Sequence, residues 1–274
     1  MLSRRTLLSC AAALPLVSAK TPGLRFGVMD GVLKKTSDPD ACAIARRIGL
    51  EGVQVTLGRP KDGRLALEDP ELQARWVAAS KAAGIRLDAT YIDVLHDECL
   101  KDNAQARDRV RKGIEITRKL NAPILMTVFF GECAIQNRAE ADAVAGAFRE
   151  LAPEAEAAGV ILGFENMLDA EDNLRVYDRV ASRAFKIYYD VGNSTTRGYD
   201  VPNEIRQLGR DRICQFHFKD GRSYLGQGKV SYPPILDAIR EIGFSGFANL
   251  ETSSPSGDPE ADTRKNLSYL KTLI

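Results

Sequence analysis

Residues 144–166 read VAGAFRELAPEAEAAGVILGFEN, and this stretch contains the pattern that decides the fold. Its first part repeats apolar side chains at helical spacing, which predicts an amphipathic helix with one buried face. Gly159 then stands where a glycine commonly ends a helix. The run Ile161–Asn166 follows; it is short, apolar and without strict alternation, which is typical of a buried parallel strand. The stretch therefore predicts a helix followed by a strand of a parallel sheet.

The same alternation of helical stretches and short apolar runs extends along most of the chain. The eight candidate strands are Leu24–Met29, Gly52–Leu57, Arg86–Ile92, Ile124–Phe130, Ile161–Asn166, Lys186–Asp190, Ile213–Phe218 and Phe247–Glu251. Eight βα units in about 250 residues predict an α/β fold, a single (β/α)8 TIM barrel over residues 20–274. An open doubly wound sheet would carry a glycine-rich loop after its first strand, whereas residues 29–33 read MDGVL.

Residues 1–19 have the pattern of an export signal. Arg4 and Arg5 precede an apolar, alanine-rich run, and residues 17–19 (VSA) are small enough for cleavage after Ala19. Two arginines directly ahead of such a run resemble the twin-arginine signal; a general secretory signal or a frayed N-terminus is the alternative. We therefore expect an exported, periplasmic protein. No later stretch approaches the ~20 apolar residues that a membrane span needs.

The composition indicates a small-molecule partner. The 274 residues include 38 basic and 37 acidic side chains, and no block of Lys or Arg marks a nucleic-acid interface. Histidine occurs only at His96 and His217. Cys99 and Cys133 fall in successive predicted loops, where a disulfide is compatible with an oxidising periplasm, although sequence alone does not fix pairing. A homo-oligomer is left open.

Four successive predicted strands end in side chains that can bind metal: Glu165, Asp190, His217 and Glu251. In a TIM barrel the carboxyl ends of the strands carry the active site, so these side chains should meet. Each acid adjoins apolar residues, where an unpaired charge is costly and a shared cation would relieve that cost. Three carboxylates and one imidazole suit one divalent metal ion, Mn²⁺, Co²⁺ or Mg²⁺. The alternative for any single residue is a salt bridge at the barrel rim.

Several motifs resemble those of the xylose isomerase-like TIM barrel family, which includes sugar and sugar-phosphate isomerases and epimerases. The resemblance covers essentially the whole chain after the signal, and an exported bacterial subgroup matches the full set most closely. The most specific element is His-x-Lys-Asp followed by Gly-x-Gly. The matching pieces are residues 163–166 (GFEN), 189–193 (YDVGN), 216–220 (FHFKD), 225–230 (LGQGKV) and 250–251 (LE).

The resemblance implies that Glu165, Asp190, His217 and Glu251 bind one divalent metal and that the two glutamates act as the acid–base pair. The metal would chelate a carbonyl oxygen and a neighbouring hydroxyl of a sugar and stabilise an enediolate. One glutamate would remove the proton and the other would return it from the opposite face. Many ketose epimerases of the family carry histidine where this chain has Asn193, which can hydrogen-bond a hydroxyl but cannot titrate.

Other residues are candidates for substrate binding. Lys219 follows the predicted metal histidine and either contacts substrate or forms an ion pair at the rim. His96, beyond the third strand, either faces the site or lies on an exposed loop. Arg222 is a candidate for an anionic group, with surface placement as the alternative. Asn193 completes the predicted substrate contacts.

Three functions compete. The leading one is a metal-dependent sugar isomerase or epimerase that abstracts the proton next to a carbonyl. A 3-keto-glycoside lyase or hydrolase could use the same site, because loss of a β-oxygen substituent can follow the same proton abstraction. A non-catalytic periplasmic sugar-binding protein is the third. Apurinic-site endonucleases share the broader superfamily, but two histidines cannot build their three-zinc site.

Overall fold

Eight parallel strands close into one barrel in the computed structural model, which describes residues 23–59 and 61–274. Each strand pairs with its neighbour in sequence, and the first pairs with the last. This order confirms the predicted single (β/α)8 barrel. The strands are β1 Leu24–Met29, β2 Gly52–Thr56, β3 Arg86–Tyr91, β4 Ile124–Val128, β5 Ile161–Glu165, β6 Phe185–Asp190, β7 Ile213–Phe218 and β8 Gly246–Leu250.

Nine α-helices of the described residues surround the barrel or connect its strands, and both α6 and α7 follow β6. The predicted strand ends differ from these bounds by at most two residues, and Glu251 lies just after β8 instead of in it. The helices are α1 Asp40–Ile48, α2 Pro70–Ala83, α3 Ala104–Lys119, α4 Arg138–Ala158, α5 Ala170–Val180, α6 Val191–Arg197, α7 Val201–Leu208, α8 Tyr232–Glu241 and α9 Pro259–Lys271.

An aromatic cluster fills the space between the barrel and α4. Phe148 of α4 packs against Phe129, Phe164 and Phe185, with ring centroids 4.6–5.8 Å apart. All four rings are buried, and burying each one contributes roughly 1.5–3 kcal/mol. This packing anchors β5 and β6 to α4, so the carboxyl ends of these two strands have a fixed position.

The interior of the barrel contains a polar layer below the mouth, where most TIM barrels place branched apolar residues. Its side chains are all buried and belong to β2, β3, β6, β7 and β8. Because side chains alternate along a strand, a residue two positions before a mouth residue also points inward. The layer consists of Gln54, Asp88, Tyr188, Gln215 and Asn249.

A disulfide joins Cys99, in the loop after β3, to Cys133, in the loop after β4. It therefore connects the two loops that carry His96 and Phe130. Cys42 and Cys214 carry free thiols.

Within residues 23–59 and 61–274, no helix has the length and apolarity needed to cross a membrane. The predicted signal, residues 1–19, lies outside the described residues and stays a prediction.

Candidate metal centre and active site

Glu165, Asp190, His217 and Glu251 meet at the carboxyl end of the barrel. Their ligand atoms all lie within 4.8 Å of one another. Nδ1 of His217 is 2.9 Å from Oε1 of Glu165, 3.1 Å from Oε2 of Glu251 and 3.9 Å from Oδ2 of Asp190. The first three residues are buried, and the side chain of Glu251 is 32% exposed. The sequence prediction that these four side chains converge is thus matched by the geometry.

The carboxylate of Asp190 both caps helix α6 and faces the cluster. As the residue before α6, it accepts a hydrogen bond through Oδ1 from the backbone N–H of Asn193, 2.7 Å away, and so caps the helix. This bond fixes the carboxylate and leaves Oδ2 facing His217 and Lys219. Gly192 permits the close approach of Lys219, because a Cβ there would lie 2.9 Å from the backbone oxygen of Lys219.

Both nitrogens of the His217 ring have defined surroundings. Nδ1 faces the carboxylates, whereas Nε2 lies 2.7 Å from Oε1 of Gln54 in the polar layer. The Tyr188 hydroxyl donates to the same amide oxygen at 3.3 Å, and the rings of Tyr188 and His217 pack edge to face. An amide oxygen only accepts, so Nε2 carries a proton and donates it to Gln54. Loss of the other ring proton then leaves a lone pair on Nδ1, directed at the site.

The charges of the cluster are incompletely balanced by the protein. Burial raises the pKa of Asp190 to about 7, and Lys219 opposes that shift. Although burial alone would lower it, the carboxylates of Glu165 and Glu251 raise the pKa of His217 to about 10. Burial likewise opposes ionisation of Glu251, but His217 and Lys219 hold its pKa well below the ordinary value. The site therefore attracts positive charge.

These residues fit a divalent metal ion. Octahedral coordination at about 2.1 Å places neighbouring ligand atoms about 3.0 Å apart and opposite ones about 4.2 Å apart. The separations of 2.9, 3.1 and 3.9 Å from Nδ1 of His217 lie in this range. Three carboxylates and the single ammonium of Lys219 leave two negative charges, which one divalent cation would neutralise.

A cavity of about 270 Å³ adjoins the cluster. Glu165, Glu251, Lys219 and Asn193 form its polar side. Its lining also includes Met29, Tyr91, His96, Met126, Val128 and Phe130. A larger cavity, about 420 Å³, lies at the amino-terminal end of the barrel, away from these carboxylates, and we do not assign the chemistry to it.

The four predicted substrate residues differ in position. Asn193 lines the cavity, and its buried Nδ2 has no hydrogen-bond partner. Lys219 also lines it, 2.8 Å from both Asp190 and Glu251. His96 faces the cavity with Nε2 2.8 Å from the Tyr91 hydroxyl. Arg222 is exposed and is not among the lining residues, so no contact in the structure supports its predicted role.

Sequence reasoning missed the residues that surround the cluster. Gln54, which contacts His217, and Tyr91, which contacts His96, were not singled out. A signal was present for part of the polar layer: Tyr188, Gln215 and Asn249 each stand two positions before a cluster residue, so alternation places them inside the barrel.

Comparison with known proteins agrees with the barrel fold. The family profile described as "Xylose isomerase-like TIM barrel" matches residues 42–273. The chain belongs to this family. Among curated members, it is 28% identical over 210 residues to 2-epi-5-epi-valiolone 7-phosphate 2-epimerase of Actinoplanes sp., covering 73% of this chain and 76% of the relative. It is 26% identical over 259 residues to SgbU of Escherichia coli (strain K12), provisionally named an L-ribulose-5-phosphate 3-epimerase, covering 83% and 88%.

Solved structures show the same fold at low sequence identity. An L-ribulose 3-epimerase superposes with a TM-score of 0.76 at 19% identity, covering 91% of this chain and 94% of that one. A D-psicose 3-epimerase superposes with a TM-score of 0.77 at 14% identity, covering 91% and 99%. These similarities show that the chain shares the fold of the two solved structures.

Proposed function

We propose that this protein is a divalent-metal-dependent sugar isomerase or epimerase that abstracts the proton next to a carbonyl and proceeds through an enediolate. The observation that carries the proposal is the convergence of Glu165, Asp190, His217 and Glu251 beside a cavity at the barrel mouth. The names of the two curated relatives, both epimerases of phosphorylated substrates, support the reaction class.

The four converging residues would hold the metal ion, which supplies Lewis-acid polarisation of a carbonyl when bound. Glu165 and Glu251 would exchange the substrate proton. They come from β5 and from just after β8, the outer two of four successive strands, with Asp190 and His217 between them. Both carboxylates line the cavity, so one can accept a proton on one side of a bound carbon and the other can return it.

The remaining polar groups of the cavity would orient the sugar. The Lys219 ammonium donates to Oε2 of Glu251 at 2.8 Å, which keeps that carboxylate ionised and fixes its direction. The amide of Asn193 has a free donor for a hydroxyl or carbonyl oxygen. His96, held by the Tyr91 hydroxyl, presents a further polar group to the cavity.

Solvent-deuterium exchange tests this proposal. The Mn²⁺-loaded protein is incubated in D₂O with a panel of ketoses and 3-keto-glycosides, and deuterium at carbon is measured by NMR. We expect exchange next to the carbonyl of at least one ketose, with formation of an epimer or isomer. Release of the β-substituent from a 3-keto-glycoside would instead identify the lyase or hydrolase variant of the reaction.

The matched variants are Glu251→Gln and Glu132→Gln. Glu132 is an exposed acid in the loop after β4, so its replacement controls for the loss of one charge at this face. We expect Glu251→Gln to abolish exchange and Glu132→Gln to leave it unchanged. Sugar binding with no exchange by the wild-type protein would contradict the enzymatic proposal and favour a binding protein.

Export belongs to the same proposal. Residues 1–19 supply the signal pattern, and the Cys99–Cys133 disulfide fits an oxidising compartment. Replacement of Arg4 and Arg5 by lysine should retain the full-length protein in the cytoplasm of a bacterial host, as shown by fractionation. Unchanged periplasmic recovery of that variant would contradict the twin-arginine route.

A further inference from the structure

We infer that the substrate of this site is an unphosphorylated carbohydrate, although both curated relatives are named for phosphorylated substrates. The inference rests on the proposed function, since it concerns the sugar that the same cavity would accept. It follows from the charges, volume and lining of the cavity, from the loops after β7 and β8, and from the helices α8 and α9.

The cavity offers no free cation to a phosphoryl group. Among its described lining residues, Lys219 is the single lysine or arginine. Its ammonium lies 2.8 Å from Asp190 and 2.8 Å from Glu251, so the carboxylates of the cluster already occupy it. Phosphate recognition normally uses Arg or Lys side chains that are free to pair with the anion. The phosphoryl group of a phosphorylated sugar would instead add negative charge beside the carboxylates of Glu165 and Glu251.

The loop after β7, where many TIM barrels bind phosphate, already contains an anion of the protein. The carboxylate of Asp220 accepts four backbone N–H groups, at 2.7–3.1 Å. The donors belong to Gly226, Gly228, Lys229 and Val230. A Cβ at Gly228 would lie 2.2 Å from Oδ1 of Asp220, so the glycine makes room for this carboxylate. Asp220 thus occupies the amides that could otherwise bind phosphate.

The helices after β7 and β8 offer fewer free amides than an ordinary helix N-terminus. Helix α8 begins Tyr232-Pro233-Pro234, and proline has no N–H to donate. Helix α9 is capped by the side chain of Asp258, which accepts from the backbone N–H of Ala261. A helix N-terminus binds phosphate through free N–H groups, and both of these lack the usual set.

An acid of α9 also binds polar groups of the loop before this helix. The buried carboxylate of Asp262 accepts hydrogen bonds from the hydroxyls of Tyr224, Ser254 and Ser256 and from the backbone N–H of Ser256. These three hydroxyl groups are therefore not free to bind a phosphate in this loop. The protein therefore places its own carboxylates where phosphate would otherwise bind, after β7 and again after β8.

The shape and polarity of the cavity suit a small neutral sugar. Its volume of about 270 Å³ lies near the lower end of the range for ligand sites. Met29, Met126, Val128 and Phe130 contribute apolar side chains to its lining. These side chains can pack against the C–H groups of a sugar ring or chain, while Asn193 and His96 meet its hydroxyls.

The test compares ketoses with their own phosphate esters. Each ketose of the panel is paired with its terminal phosphate ester, and deuterium exchange is measured with the Mn²⁺-loaded full-length protein. Binding of the same pairs is measured by calorimetry, with inorganic phosphate titrated in parallel to account for its affinity for the metal itself. We expect kcat/KM for the free ketose to exceed that for its ester by about 100-fold, because no group of the cavity pairs with the phosphoryl charge.

The outcomes separate this inference from the proposed function. Preferred exchange of a phosphate ester would overturn the inference and leave the proposed function standing. Tighter binding of the free ketose without any exchange would support the inference and contradict the function. Tighter binding of the ester, or binding of neither, would overturn the inference. Arg197→Gln serves as a second variant, because Arg138 and Arg197 line a neighbouring groove. If the ester binds the wild type but binds Arg197→Gln more weakly, the inference is also overturned.

Discussion

Nε2 of His217 donates a hydrogen bond to Oε1 of Gln54, 2.7 Å away, while Nδ1 of the same ring faces three carboxylates. The amide oxygen determines which ring nitrogen keeps its proton, and therefore which one can bind a cation. Gln54 is a positioning residue in this arrangement, since it acts through His217.

Gln54→Met should weaken Mn²⁺ binding about 10- to 100-fold, in line with the loss of other hydrogen bonds behind metal ligands. The methionine fills a similar volume but provides no amide oxygen, so the ring can place its proton on Nδ1. Calorimetric titration of the metal-free protein measures the effect, and ¹⁵N NMR of the histidine ring reports the protonated nitrogen.

Gln73→Met is the control. Gln73 is also buried, but it lies near the start of α2. Its amide donates to the backbone oxygen of Leu67 and not to a cluster residue. We expect this variant to lose stability but to keep wild-type affinity for Mn²⁺. Equal affinity of Gln54→Met and the wild type would show that Gln54 does not orient the ligand.

Asn193→Ala should raise KM about tenfold and leave the affinity for Mn²⁺ unchanged. Its amide nitrogen is a buried donor without a partner at the cavity, so its removal deletes a substrate contact. Asp190 stays capped because the bond comes from the backbone of residue 193. Steady-state kinetics and metal titration check this; a loss of metal binding would instead assign Asn193 to the integrity of the cluster.

Removal of the disulfide should affect both stability and substrate binding. The bond joins the loops that present His96 and Phe130 to the cavity, and the Cys133 sulfur lies 3.3 Å from the backbone oxygen of His96. Replacement of Cys99 and Cys133 by alanine should lower the free energy of unfolding by about 2–4 kcal/mol and raise KM several-fold. The control is Cys42→Ala. Unchanged KM with reduced stability would limit the disulfide to a structural role.

Asp88→Asn should raise the free energy of unfolding at neutral pH, where the wild-type protein loses stability. Burial raises the pKa of Asp88 to about 7, so the folded protein retains a proton that the unfolded chain releases near pH 3.8. The stability from this proton is complete below about pH 4 and is lost as the pH rises through 7. Asparagine keeps the oxygen that accepts from Gln215 and Asn249 and carries no charge.

The expected gain in the free energy of unfolding at pH 8 is up to about 4 kcal/mol, with a small difference from the wild type at pH 4. Urea unfolding of the metal-free proteins across this range measures it. Parallel pH profiles of Asp88→Asn and the wild type would mean that Asp88 does not hold this proton in the folded protein.

The sequence was sufficient to predict the barrel and the cluster. Repeated strands and helices determine the topology, and in a closed parallel barrel all strand tips meet at one mouth, so Glu165, Asp190, His217 and Glu251 had to converge. The disulfide was compatible with the loop positions of Cys99 and Cys133, and the structure contains it. Phe130 lines the cavity and Phe129 packs against helix α4, as two successive residues after β4 allow.

Contacts between the mouth residues and side chains deeper in the barrel could not be predicted. Gln54 and His217 are separated by 163 positions in the sequence. Only the stagger of the strands brings the two side chains to the same level along the barrel axis. The role of Asp220 was equally hidden, because its four bonds depend on the conformation of a loop and not on a repeating pattern. Arg222 was a candidate for binding an anionic group on the basis of its charge alone. Its exposed position follows from the turn that precedes this loop.

Anomalous diffraction from crystals soaked in Mn²⁺ tests the metal site most directly. We predict one strong peak among the side chains, in contact with Nδ1 of His217 and with carboxylate oxygens of Glu165, Asp190 and Glu251. A structure at saturating Mn²⁺ with no peak there, or with the ion bound by only one of these side chains, would contradict the metal centre and the proton chemistry that depends on it.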